Sequence, residues 1–266
     1  MPWSLFDIVA ALPVYALVLF RLTGMMLVAP VYGSTVIPLR IRVALAMTVA
    51  AMVFPLVSRQ APADLSIGAA IAGGVGEVFI GLSIGLALMM LLSAAEVAGL
   101  FVGQQSGLAL AEVFNPALED QSSLVGQLYS IVFLLVFLLV GGHRATLSAL
   151  LDTFGVIPLL RFTVDEPILL LLIELLTAAF VLGIRLAAPA VIALFLTETA
   201  LGFLSRSMPQ LNILTVGFSV RVLVALLVAG VTLAACGEPL VDAVYDGLDL
   251  VRSALGLAPS DGGAVG

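Results

Sequence analysis

The sequence predicts an all-α, polytopic membrane protein made of long, partly bent helical hairpins. Three observations lead there. Of 266 residues, 62% are apolar and only 10% charged, against roughly 45–50% and about 25% in soluble domains. Six stretches are apolar over lengths comparable with the about 20 residues that one helical crossing needs. Turn-forming Pro and Gly residues, more than runs of charge, punctuate these stretches.

The six stretches are residues 8–32, 43–57, 67–111, 124–142, 168–196 and 213–237. The second is short for a crossing and the third is long enough for two, so a bent helix, a hairpin or a partly immersed helix is expected. Pro30 and Pro38 bracket a turn between the first two stretches. Pro189 lies inside the fifth and is expected to kink it, because it deletes a backbone donor. No basic n-region precedes the first stretch, so the N-terminal segment is expected to stay in the mature protein. Residues 259–266 read as a disordered tail. Six alternating crossings would put Arg40, Arg42 and Arg206 on one side and Arg59, Arg144, Arg161 and Arg252 on the other. Three against four gives no orientation by the positive-inside rule.

Composition excludes much chemistry. All ten basic residues are Arg, which removes a Walker A or Schiff-base lysine. A single cysteine, Cys236, and a single histidine, His143, leave no thiolate cluster and few imidazole sites. His143 follows Gly141 and Gly142 and is expected to cap the fourth helix, while Cys236 reads as inert core. A net charge of −7 has the wrong sign for nucleic acid. No nucleophile–base pair, metal motif or paired acid site emerges, and the chain reads as a non-enzyme without a cofactor.

Charges stand inside the apolar stretches: Arg21, Glu77, Glu96, Glu174, Arg185 and Arg221, with Glu198 just beyond one. Each would cost about 2.5–3.5 kcal/mol in mid-bilayer on insertion scales. Two readings follow. The near balance of Arg and Glu fits ion pairs within or between subunits; a proton or substrate relay, as in a secondary transporter, is the other. From Ala95 a small residue recurs every fourth position, through Gly99, Gly103 and Gly107 to Ala111, with Gly81 and Gly85 upstream. On a helix these form one ridge that lets another backbone approach closely. Gln104, Gln105 and Ser106 interrupt the same helix and imply a polar partner or an aqueous lumen.

A loop follows, Glu112, Val113, Phe114, Asn115, Pro116, Ala117 and Leu118, running on to Glu119, Asp120 and Gln121. Asn-Pro disfavours a helical backbone and the acids favour water. It is either an ordinary surface turn or, through Phe114 and Leu118, a stopper able to pack into an opening. Near the C-terminus Leu240, Val241, Val244, Leu248, Val251 and Leu255 recur at helical spacing, with Asp242, Asp246 and Asp249 on another face. An acidic face is repelled by anionic lipid, so this amphipathic helix is expected to dock on a partner protein.

Four ordered strings resemble the FliR/SctT family of flagellar and type III secretion export-gate proteins. They are Arg21 to Gly24 running into Leu27 to Ser34, with Pro38, Arg40 and Arg42; Phe114-Asn115-Pro116 after the Gly/Gln-rich helix; Gly142-His143 with Leu151 to Phe154 and Pro158; and Ala188-Pro189, Leu201-Gly202, Arg206, Pro209 to Asn212, Gly217-Phe218 and Arg221. Departures are Asn115 where the family commonly has Asp, Ser219 where it has Pro, and Arg221 where it has Lys.

The resemblance implies a non-catalytic subunit of a helical gate assembly in the bacterial inner membrane, at the flagellar or injectisome basal body. Residues 1–258 would form one membrane-embedded domain, a P-like part to about residue 160 and a Q-like hairpin with the C-terminal amphipathic helix beyond. Implied partners are the P-type and Q-type membrane subunits, the B-type and export-switch components, unfolded protein substrates and membrane lipid. The 112–118 loop would plug the channel, Gln104, Gln105 and Ser106 would face it, and Ala95, Gly99, Gly103 and Gly107 would pack helices. Arg21, Glu77, Glu96, Glu174, Arg185, Arg206, Pro209, Gln210, Asn212, Gly217, Phe218 and Arg221 would make ion pairs or subunit contacts. A secondary transporter using the intramembrane Glu and Arg residues, or a scaffold without a pore, are the alternatives.

Overall fold

The computed structural model describes residues 5–34, 36–58, 67–108, 123–161, 166–208 and 213–257. Among them are eight α-helices and no strand. They are α1 (Leu5–Val28), α2 (Leu39–Val57), α3 (Ile67–Ser106), α4 (Leu124–Leu139), α5 (Gly142–Val156), α6 (Glu166–Ser207), α7 (Ile213–Ala235) and α8 (Gly237–Ala254). Five are long and apolar enough to cross a membrane, and a sixth span arises if α4 and α5, bent by 65° at their junction, count as one.

Each stretch read from the sequence contains a helix, with four differences. First, α2 begins at Leu39, four residues before its apolar run. Pro38 supplies a fixed φ of −54° at the N-cap, and Arg42 turns back so that Nε and Nη1 donate to Ile37 O and Gly33 O. Second, α3 is one unbroken helix of 40 residues, about 60 Å long, and not two shorter ones. Third, α6 is one helix of 42 residues that includes Pro189 and continues past Glu198 to Ser207, longer than its apolar stretch. Fourth, α5 was not anticipated as a helix. Gly141 adopts φ +78°, a left-handed geometry that ends α4 and redirects the chain. His143 therefore opens α5 and does not cap α4.

The chain divides into two compact units: residues 1–90, 141–175 and 244–266, and residues 91–140 with 176–243. In unit 1, α1 and the first half of α3 run parallel, and glycines set their spacing. A Cβ on Gly24 would overlap Val78 O; one on Gly81 would overlap Arg21 O; one on Gly85 would lie 2.9 Å from Met25 O. Backbone thus meets backbone, the arrangement small residues make possible between membrane helices. Leu17, Leu22, Met25, Ile80, Ile84, Leu88 and Leu150 are fully buried around this contact. Tyr15 Oη donates to Met47 O at 2.9 Å, fixing α2 on α1.

The C-terminal helix also belongs here for most of its length. Val244, Leu248 and Val251 are each 1% exposed, and Arg252 bridges Asp152 of α5 at 2.9 Å. Gly256, with φ +71°, closes α8, as Leu257 N donates to Arg252 O and Gly256 N to Ser253 O. The expectation that this face docks on a partner protein is corrected: its own chain covers it. Asp242 and Asp246, on another face, are exposed.

In unit 2, Val125, Tyr129, Phe133 and Phe137 form a buried spine along α4. Gly99 of α3 meets Gly126 of α4, where an added Cβ would stand 2.6 Å from Gly126 Cα and from Val125 O. Gly183 of α6 lies against Ala94, 3.3 Å from its carbonyl oxygen by the same measure. Much of α6 and α7 remains uncovered: Phe180, Ile184, Phe195, Phe203, Leu223, Leu227 and Val231 are all well exposed.

Candidate functional site: two ionic centres and a glycine crossing

In unit 1, Arg21 and Glu77 face each other from α1 and α3, and both are 0% exposed. Arg21 Nε donates to Glu77 Oε2 at 2.7 Å, and Nη2 approaches the same oxygen at 2.6 Å. Nη1 donates to Thr153 Oγ1 at 3.0 Å and Nη2 to Ile157 O at 3.2 Å. Glu77 Oε1 accepts from Leu160 N at 3.0 Å. The guanidinium plane rests on the Phe154 ring, 4.3 Å from its centroid. Every charged group is thereby matched, which a pair withdrawn from water requires to persist. Leu160 is held at φ +66°, uncommon for a residue with a side chain, and its N–H is the one that Glu77 accepts.

A second pair lies in unit 2, Arg221 of α7 with Glu198 of α6, Nη1 to Oε1 at 3.2 Å. It is far less enclosed, with side chains 32% and 40% exposed, while Arg221 Nε is shielded and lacks an acceptor. Glu174, Arg185 and Arg206 are exposed and Glu96 half-buried, and none of them forms an ion pair among the described residues. No hydrogen-bonded chain of titratable groups joins these charges among the described residues.

The small-residue ridge carries the third feature. Ala95 and Gly99 are buried; a Cβ on Gly103 would overlap Ser123 Oγ. Gly107, at φ +86°, ends the α3 turn, and a Cβ added there would stand 3.4 Å from the Phe218 ring. The two feet of the 109–122 segment are therefore held side by side, one by Gly103 and Gly107, the other by Ser123. Of the polar trio, Gln104 is exposed and Gln105 half-buried. Ser106 is turned inward, fully buried, with its hydroxyl donating to Gly103 O at 2.9 Å. An i−3 carbonyl in the last helical turn is a nearby acceptor, so Ser106 does not present its hydroxyl to a lumen. Gly217 is buried and Phe218 exposed. Residues 112–121, Pro209, Gln210 and Asn212, with Ala111, lie outside the described residues.

Sequence reasoning missed three contributors. Thr153 and Phe154 were noted only within a motif, although Thr146, Ala149, Leu150, Thr153 and Phe154, all buried, recur at helical spacing and could have revealed α5. Asp152 and Arg252, 100 residues apart, carried no signal. Nor did Tyr32, whose hydroxyl donates to His143 O at 2.9 Å and whose phenol is pushed up from its ordinary pKa by burial.

Long apolar helices, a buried ion pair and glycine crossings together define an all-α polytopic membrane protein. The extent of its uncovered apolar faces adds that it sits among lipid or other chains. A model of the family described as bacterial export proteins, family 1, matches residues 12–246, and the chain belongs to that family. It is 28% identical over 222 residues to the flagellar biosynthetic protein FliR of Bacillus subtilis, covering 82% of this chain and 85% of that one. To the FliR protein of Escherichia coli it is 29% identical over 224 residues, 84% and 83% of the two chains. The Yop proteins translocation protein T of Yersinia pestis is 28% identical over 214 residues, 79% and 82%. The FliR/SctT resemblance read from the residues is thus correct, and the chain is a flagellar or type III export component of a bacterial membrane.

Proposed function

We propose that this chain is a non-catalytic subunit of the protein export gate in the bacterial inner membrane, and that residues 112–121 plug the channel it helps to form. The observation that carries the reading is the glycine crossing in unit 2. It holds α3 at Gly103 against Ser123, so the described residues that flank the stretch bearing Phe114 and Leu118 lie close to each other. Gln104, one turn before that anchor and exposed, is the channel-facing polar group, with Gln105 beside it. Ser106 has no such role.

The exposed apolar faces of α6 and α7 and the open charges Glu174, Arg185 and Arg206 are surfaces for P-type and Q-type subunits, in a basal body that also holds the B-type and export-switch components. On this reading residues up to about 160 form a P-like part and the remainder a Q-like hairpin. Unfolded export substrates pass through, energised elsewhere, which agrees with the lack of a candidate nucleophile–base pair in the sequence. Deleting residues 114–118 in the assembled gate tests the plug: membrane conductance to small ions should rise. Conductance equal to that of the intact gate, with the shortened chain still assembled, overturns the plug role.

A further inference from the structure

The Tyr32–His143 hydrogen bond has an electrostatic consequence. It brings together, at one end of unit 1, the turn between α1 and α2 and the bend before α5. The first segment carries Arg40 and Arg42, the second Arg144, three arginines that alternating crossings would have put on opposite sides. No acid stands between Asp7 and Asp64, nor between Asp120 and Asp152. The joined surface is therefore basic without a compensating carboxylate from either segment. Arg40 and Arg144 are exposed, and Arg42 is anchored on Gly33 O and Ile37 O with part of its guanidinium open. The uncapped first turns of α2 and α5 add backbone N–H groups of the same sign.

Apolar residues interleave with these charges. Val36 is 86% exposed, Leu39 67% and Ile41 58%. Two apolar spans of unit 1 end here as well, α1 at Val28 and α2 at Leu39. A ligand complementary to this surface needs an anionic head and a hydrocarbon body. We propose that the Arg40, Arg42 and Arg144 end of unit 1 binds an anionic phospholipid, its phosphate between the guanidinium groups and its acyl chains along Val36, Leu39 and Ile41. Arginine suits the role, since its planar fork can hold two phosphate oxygens at once.

The test is native mass spectrometry of the full chain, released from nanodiscs of phosphatidylcholine alone or with phosphatidylglycerol added. Retention of phosphatidylglycerol at collision energies that strip phosphatidylcholine is expected, and millimolar inorganic phosphate should not displace it. R40Q/R42Q/R144Q should reduce that retention about tenfold; R40K/R42K/R144K should restore much of it, and R161Q should leave it unchanged. Equal retention of the two lipids by the unaltered chain, which does not depend on any variant folding, overturns the proposal. So does undiminished retention in the triple glutamine variant, or displacement by inorganic phosphate.

Discussion

Arg21–Glu77 in unit 1 and Arg221–Glu198 in unit 2 are the same chemical pair in opposite circumstances. The first is sealed: its side chains are 0% and 1% exposed, and Thr153, Ile157, Leu160 and Phe154 occupy what Glu77 leaves free of the guanidinium and what Arg21 leaves free of the carboxylate. The second is open, at 32% and 40%, and Arg221 Nε has no acceptor. Burial around them differs likewise. Half of the α1 span Ala11–Val28 is buried within the chain, but only 28% of the span Leu170–Ser207 and 22% of Thr215–Ala235. A single subunit thus completes its first ionic centre alone and leaves the second unfinished. The comparison teaches that an intramembrane charge can be internal architecture in one unit and an unfilled valence in the other.

Breaking the sealed pair should have the largest effect. Glu77→Gln leaves Arg21 enclosed without a counter-charge, and loss of one partner of a buried pair costs about 3–5 kcal/mol. Thermal unfolding of the detergent-purified chain should show a large fall in midpoint, or the variant should fail to accumulate in membranes. R21M/E77L, apolar on both sides, should recover most of the loss. Full stability of Glu77→Gln would mean the network is not structural at all.

The glycine crossing comes next. Gly99→Val would drive methyl groups into the Gly126 backbone, and overpacking typically costs about 1–3 kcal/mol. Gly230→Ala, where an added Cβ meets open space, is the matched control and should be silent. A midpoint for Gly99→Val no lower than that of Gly230→Ala would remove the α3–α4 contact from the account.

The smallest effect on the isolated chain belongs to the open pair. Arg221→Gln should change stability by less than about 1 kcal/mol, as exposed pairs do, yet reduce co-purification of the chain with P-type and Q-type subunits. A large destabilisation of the isolated subunit would erase the distinction between the two centres.

The residues themselves carry much of this. Alternation of apolar runs with Pro and Gly located six of the eight helices, and the period of Leu240, Val244, Leu248 and Val251 located α8. Even the expectation that Arg21 and Glu77 must find partners followed from the cost of an unpaired charge in hydrocarbon. One range was misjudged for a local reason. His143 reads as a cap because Gly141 could end a helix; that the same glycine also starts another depends on where α5 packs.

By itself, then, the sequence determined the class of protein, seven of the eight described helices and the family, because helical period and transfer cost are properties of neighbours along the chain. The tertiary structure alone decided who pairs with whom: Arg21 with Glu77 and not another of the four glutamates, Arg252 with Asp152, Tyr32 with His143, and α8 with its own chain in place of a partner. Those pairs join residues from 56 to 111 positions apart, and the physics that selects among them is the close approach of helix backbones at Gly24, Gly81, Gly99 and Gly126. A pattern of single residues shows that such an approach is possible; only the packed chain fixes which two helices make it.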